Sequence, residues 1–179
     1  MLSIMYATLS DKTRVVIRPA RPGDAPLIEA MHERLSPRSL YQRYMQYSAP
    51  PAAEFEKVCT LPPAAGAVFV ATVETPGEQI VGMAYYVLED LEPQITAEPA
   101  LLIEDAYQGR GLGKFMFWHL CQYARQQNVA AFEGVVYAAN EAMMRVLRRS
   151  GFAFTQTFAY GMREIRLSLQ SDIQRPLSA

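Results

Sequence analysis

The stretch Ala100-Leu101-Leu102-Ile103-Glu104-Asp105-Ala106-Tyr107-Gln108-Gly109-Arg110-Gly111-Leu112-Gly113-Lys114 joins an apolar strand to the start of an amphipathic helix. Three glycines at 109, 111 and 113 strip this junction of side-chain bulk, so backbone N–H groups stand open to a close ligand. The helix that follows turns its positive end and its unpaired N–H donors toward the same place. Arg110 and Lys114 add positive charge. A junction of this kind is a cradle for a diphosphate.

Spacing tests two well-known phosphate loops. The nucleotide-triphosphate loop needs Gly, four residues, then Gly-Lys-Ser/Thr. Counting back from Gly113-Lys114 places Gln108 at the first Gly position, and Phe115 stands where a magnesium-binding hydroxyl is required. The dinucleotide fingerprint needs a third Gly three residues after the second, and that position is Lys114. It also lacks a clear acidic ribose partner, so the first reading fails and the second is weak.

Outward from the junction the chain alternates strands and helices. Val15-Val16-Ile17-Arg18 reads as a short strand closed by Pro19. Gly23-Asp24 offers an N-cap to a helix carrying Leu27, Ile28, Met31 and Leu35 at helical spacing. Ser36-Pro37 starts another helix, with Pro in its first turn, and a third runs from about Ala52 to Leu61 between Pro50-Pro51 and Pro62-Pro63. Strands are expected at Val68–Val73, Ile80–Leu88 and Glu98–Ile103, with a turn at Thr75-Pro76-Gly77. After the glycine loop come a helix at Leu112–Gln127, a strand at Phe132–Tyr137, a helix at Asn140–Arg149, and closing strands at Phe152–Phe158 and Met162–Leu169. Residues 1–13 show no strong pattern and read as a loose lead-in, 14–169 as one domain, and 170–179 as a frayed tail. Hairpin-paired strands followed by strands joined through a helix imply an α/β fold built on a mixed sheet with helices on both faces.

A Gln-Gly-Arg-Gly-Leu-Gly loop after an apolar strand, followed by Asn140, Met143, Val146 and Gly151-Phe152, resembles the GNAT superfamily of acyl-CoA-dependent N-acyltransferases over roughly residues 14–169. The resemblance implies a GNAT-type fold: a mostly antiparallel sheet of six to seven strands, with two parallel neighbours, Glu98–Ile103 and Phe132–Tyr137, splayed apart. It also implies acetyl-CoA as co-substrate. Backbone groups of Leu101, Leu102 and Ile103 would pair with the pantetheine arm. Those of Gly109, Arg110, Gly111, Leu112, Gly113 and Lys114 would wrap the pyrophosphate, and Asn140 would meet the cofactor from the last helix.

Acyl transfer to an amine needs a held thioester, a neutral amine and a stabilised oxyanion. A lysine-like amine is protonated near neutrality, so a base must take a proton. Glu98 is the candidate, standing before Pro99, whose missing N–H marks a bulge or an edge. Many members of the superfamily carry a Tyr seven residues after the Asn, where it gives a proton to the departing sulfur; this chain has Leu147. Tyr85, Tyr86, Tyr137 and Tyr160 are the stand-ins to weigh, beside a thiolate that leaves unaided. His119 and Trp118 lie on the apolar stripe of the 112–127 helix and read as packing. Glu104 and Asp105 read as solvated charges at a strand end.

Leu35-Ser36-Pro37-Arg38-Ser39-Leu40-Tyr41-Gln42-Arg43-Tyr44 further resembles a segment of Pat-type bacterial protein acetyltransferases, which modify lysines of acyl-CoA synthetases. That implies a protein lysine as acceptor and a groove walled by the helix bearing Tyr41, Arg43 and Tyr44. A small-amine N-acetyltransferase and a CoA-binding regulatory module are the competing readings. The chain has 179 residues, half of them hydrophobic, with 20% charged and a net charge of −1. That balance suits one globular domain and gives no general reason to expect nucleic acid or a membrane as partner. No secretory pattern opens the chain and no apolar run reaches about 18 residues. The two cysteines, Cys59 and Cys121, are too few for a disulfide framework. A cytoplasmic location is therefore expected. No metal cluster is visible. Apolar residues on the Phe152–Phe158 strand would suit pairing with a second subunit.

Overall fold

The computed structural model describes residues 4–75, 77–89 and 94–170. Eight strands form one mixed sheet in the order β1-β2-β3-β4-β5-β6-β8-β7. They are β1 (Met5–Thr8), β2 (Arg14–Pro19), β3 (Gly66–Thr75), β4 (Gly77–Leu88), β5 (Thr96–Ile103), β6 (Ala131–Tyr137), β7 (Phe154–Ala159) and β8 (Met162–Ser168). Among the described residues five α-helices accompany them: α1 (Ala25–Glu33), α2 (Pro37–Tyr44), α3 (Ala52–Cys59), α4 (Leu112–Gln126) and α5 (Glu141–Arg149). All neighbouring strands run antiparallel except β5 and β6. This is the mixed, mostly antiparallel architecture that the alternation of elements predicts.

The strand count exceeds the expected six to seven because β1 forms inside the supposed lead-in. Ala7 is buried and Tyr6 and Thr8 are exposed, a period of two too short to stand out in sequence, and Met5–Thr8 pairs in register with Arg14–Ile17. Of the expected tail only Gln170 falls within the described residues.

Two apolar layers flank the sheet. On one side α4 and α5 pack over Ile17, Phe69, Tyr86 and Phe132 through Met116, Phe117, Leu120 and Met144. Gly82 permits the approach of α4, since a Cβ there would lie 2.8 Å from the Met116 sulfur. On the other side α1, α2 and α3 bury Ile28, Met31, Leu40 and Phe55 against Val70, Ile80, Met83 and Leu102. His119 and Trp118 belong to the first layer, as their helical stripe predicts. Among the described residues no helix covers the second side at β6, β8 and β7, where Val135, Thr157, Glu164 and Arg166 are exposed.

Asp24 does not cap α1 with its side chain. Its carboxylate instead takes both terminal nitrogens of the buried Arg18, at 2.7 and 2.8 Å, and the Arg21 N–H at 2.7 Å. An arginine fork inside the fold outcompetes a single amide for those two oxygens.

The feature that positions the site is the separation of β5 from β6. Their parallel pairing covers only Thr96 with Ala131 and Ala97 with Phe132. Beyond that point β6 stays paired to β8 through Tyr137, while β5 stays paired to β4 through Ile103. Pro99 sits just past the last β5–β6 pair, and its register with Tyr86 on β4 is unbroken. The missing N–H therefore marks an opened edge and not a bulge.

Candidate active site

Two connected clefts follow this separation. The first, about 230 Å³, runs from Gly109, Gly111 and Lys114 along Leu101, Leu102 and Ile103 to Asn140 on α5. The second, about 110 Å³, occupies the opening between Glu98–Leu101 of β5 and Phe132–Val136 of β6, with Leu147 in its lining. Gln42, Arg43, Leu101, Asn140 and Met143 line both, so a long molecule can enter one and end in the other.

The loop has the backbone its glycines predict. Gly109 and Gly111 have φ of 72° and 96°, a region that penalises every residue with a Cβ. A Cβ on Gly109 would meet nothing within 4 Å, so the space before it belongs to no protein atom. Gly111 is also the N-cap of α4 and supplies no side-chain acceptor to the first amides of that 15-residue helix. An uncapped helix end beside a cleft attracts anionic oxygen.

Not every sequence-predicted binding residue faces that cleft. Leu101, Leu102, Ile103, Gly109, Gly111, Gly113, Lys114 and Asn140 line it. The Leu112 side chain, on the first turn of α4, is fully buried in the core. Arg110 turns its side chain away, pairing with Asp11 at 2.5 Å and lying over the Tyr107 ring. Only the backbones of these two can serve a ligand at the loop. Asn140 caps α5 by accepting from the Met143 N–H at 3.0 Å, and it lines both clefts.

Glu104 and Asp105 are not solvated. Glu104 is buried and pairs with Arg34 at 2.9 Å. Asp105 accepts from the Ser36 N–H at 2.9 Å, the Ser36 hydroxyl at 2.7 Å and the Ser39 hydroxyl at 2.9 Å. Ser36 in turn caps α2 by accepting from the Ser39 N–H. Gln108 closes the network, donating to Ser39 Oγ at 3.0 Å and to the Ile103 carbonyl at 2.9 Å. The end of β5, the glycine loop and the start of α2 are thus tied into one unit. These partners lie some 66 to 70 residues apart, beyond any local sequence signal.

Burial works to raise the Asp105 carboxyl, but the donors from Ser36 and Ser39 outweigh it and hold the group below its ordinary value. A folded pKa below the unfolded one gives stability that is present above the ordinary carboxylate range and lost as pH falls through the lowered value. Asp105→Ala is expected to remove about 2 kcal/mol of stability. It should also raise the acceptor KM as α2 loosens; thermal melts and initial rates check the two effects.

Glu98 is exposed on β5. Extending the β5–β6 register by one residue sets it opposite Glu133, which pairs with Arg166 of β8. Both glutamates line the second cleft, and the Glu98 Cγ lies 3.9 Å from the position of a Cβ on Gly134. Among the described residues lining either cleft there is no tyrosine. Tyr86 is buried on the α4 side, which pushes its hydroxyl up to about 12. Tyr160 is fully exposed in the β7–β8 turn. Tyr85 accepts from Arg43 at 2.6 Å, and the Tyr137 ring meets Tyr41 edge-on at 5.8 Å. Leu147 is buried at the expected tyrosine position. Tyr41 also stacks on Tyr47 at 4.9 Å, so Tyr41, Tyr47 and Tyr137 form an aromatic cluster that joins the α2 segment to the end of β6. Sequence reasoning placed Arg43 on the helix walling the acceptor groove but gave it no part at the cofactor, whereas it lines both clefts. Its signal was its place in the Tyr41–Tyr44 segment.

No group of three or more potential metal ligands occurs among the described residues. None of their helices is long and apolar enough to cross a membrane.

The chain matches the profile of the acetyltransferase (GNAT) family over residues 29–152. It is 31% identical to acetyltransferase PA5475 of Pseudomonas aeruginosa over 147 residues, which cover 81% of this chain and 78% of that one. It is 30% identical to acetyltransferase Pat of Mycolicibacterium smegmatis over 135 residues, 75% of this chain but 40% of the longer protein. Among solved structures, the GNAT domain of S. lividans PAT superposes with a TM-score of 0.82 at 23% identity, covering 92% of this chain and 96% of that one.

Proposed function

The chain belongs to the acetyltransferase (GNAT) family, N-acetyltransferases that draw on acetyl-CoA, and from that premise we propose that it acetylates a protein lysine by direct attack on the thioester. The observation that carries this reading is the pair of connected clefts, with a diphosphate cradle at one end and a carboxylate-lined opening between β5 and β6 at the other. In this reading amides from Gly109 to Lys114 hold the pyrophosphate, and Leu101, Leu102 and Ile103 offer the free edge of β5 to the pantetheine amides. Asn140 orients the arm where the clefts meet.

Glu98 takes the proton that an ammonium acceptor must lose before it can attack. A lysine near pKa 10.4 is almost wholly charged at neutral pH, so removing that proton is part of the barrier. Glu98 on this lining favours a cationic acceptor by simple Coulomb attraction, while the charge of Glu133 is offset by Arg166.

A protein acceptor is supported by the surroundings of the opening. Val135 of the exposed β6, β8 and β7 face lines it, and Gln42 and Arg43 of its lining adjoin Tyr41 of the Tyr41, Tyr47 and Tyr137 cluster. That is room for a folded surface, where a small amine needs only an enclosed pocket. The likeness of residues 35–44 to Pat-type enzymes agrees, although the chain spans 40% of the M. smegmatis Pat it matches.

Incubation of the protein with labelled acetyl-CoA and a bacterial lysate tests the proposal. Label is expected on lysine side chains of protein. Label confined to small molecules would replace the protein acceptor with a metabolite amine.

A further inference from the structure

With Leu147 at the expected tyrosine position and no tyrosine lining either cleft, the group that meets the departing sulfur must be sought elsewhere. Arg43 of α2 lines both clefts. The other cations of the lining, Lys114, Arg145 and Arg149, belong to the first cleft alone. A diphosphate at the glycine loop and an acyl group at the β5–β6 opening leave the thioester sulfur at the segment the clefts share. From Ile103 back to Pro99 is about 13 Å of extended strand, a length over which a pantetheine arm can lie.

Arg43 is held for a fixed role. One terminal nitrogen donates to the Tyr85 hydroxyl at 2.6 Å, and the guanidinium sits 4.8 Å from the Tyr44 ring centre and 5.6 Å from that of Tyr85. Its Nε is buried without a hydrogen-bond partner among the described residues, a cost the fold bears with no structural return. Tyr44 is itself fixed: its hydroxyl donates to His32 Nε2 at 2.7 Å, while His32 Nδ1 meets the Ile28 carbonyl at 2.8 Å. Burial, with a smaller contribution from Arg43, holds His32 below its ordinary value and so neutral.

We propose that Arg43 is a catalytic residue that stabilises the thiolate of coenzyme A as it leaves, in place of a proton-donating tyrosine. This rests on the donor site proposed above. The acceptor nitrogen bonds to the carbonyl carbon, and the C–S bond breaks with its electron pair passing to sulfur. The ammonium acceptor gives one proton to Glu98 before attack and a second to water as the amide forms. The sulfur leaves as a thiolate paired with the guanidinium and takes a proton from water after release.

The thiol of bound coenzyme A, followed by thiolate absorbance against pH, tests this directly. The charged groups of the lining are Arg43 on α2, Glu98 on β5, Glu133 on β6, Lys114 on α4, and Arg145 and Arg149 on α5. Of the protein's own thiols, burial pushes Cys59 up to about 11 and Cys121 well above its ordinary value, so both are silent near pH 8. In the unaltered protein the bound thiol is expected about one to two units below the ordinary value near 8.5. Arg43→Met should return it to that value and lower kcat roughly tenfold to a hundredfold, with the Kd of coenzyme A little changed below about pH 6, where the bound thiol is protonated in both proteins. Arg43→Lys, which keeps the charge, should retain part of the shift. Lys114→Met should weaken binding and leave the shift intact. Equal thiol pKa values in the unaltered protein and Arg43→Met, both saturated with coenzyme A, would overturn the proposal and leave the donor site standing. Failure of the unaltered protein to bind coenzyme A would overturn both.

Discussion

Glu98→Gln is expected to lower kcat/KM for acetyl transfer roughly a hundred- to ten-thousand-fold, the range for loss of a general base, while acetyl-CoA binds as before. The two readouts separate because Glu98 lines only the second cleft, whereas the glycine cradle belongs to the first. Glutamine keeps the size of the side chain and removes its capacity to accept a proton. The loss should shrink at high pH, where the acceptor amine deprotonates without help. A rate that stays depressed above pH 10 would assign Glu98 a role in placing the acceptor. Unchanged activity at pH 7 would move the base elsewhere.

The second large effect concerns the fold. Asp24→Ala is expected to cost about 3 kcal/mol, the lower end of the range for leaving a buried arginine without its partner. The lower end applies because Glu78, half exposed, still accepts from Arg18 Nε at 3.0 Å. In a domain of this size that is a fall in Tm of roughly 6 to 12 °C. An arginine guanidinium stays protonated inside proteins, so Arg18 cannot shed its charge to escape the loss. Burial works to raise the Asp24 carboxyl, but Arg18 and the Arg21 N–H overcome it and hold it low. The pair therefore stabilises the fold at neutral pH and loses its effect as pH falls below the ordinary carboxylate range. Thermal melts of both proteins at pH 7 and pH 3 check this: the gap between them should narrow at the lower pH.

The glycine loop was legible because spacing alone rules out the nucleotide-triphosphate loop, and because positive φ at 109 and 111 is a demand that residue type announces. The helix starts at Ser36-Pro37 and Asn140 were equally plain, since each cap bonds an amide three residues on. Pro99 gave notice of an open edge, and the structure supplies its cause in a β6 that follows β8 away from β5.

What sequence could not show is set by contacts between distant segments. Asp24, Glu104 and Asp105 each stand where a local rule assigns a cap or a solvated charge. Arg18, Arg34 and Ser36 with Ser39 claim them instead. Arg110 beside the loop looked like a phosphate ligand until Asp11, 99 residues earlier, took its side chain. Strand β1 is four residues long, too short for its alternation to be told from chance.

The central claim is that the acyl donor lies between β5 and β6 with its diphosphate on the glycine loop. A crystal structure of the protein with coenzyme A tests it most directly. Diphosphate oxygens within hydrogen-bond distance of the backbone amides from Gly109 to Lys114, with the sulfur in the segment shared by the two clefts, are predicted. Coenzyme A bound on the α1–α3 side of the sheet, or with its diphosphate on surface arginines away from the loop, would contradict the account.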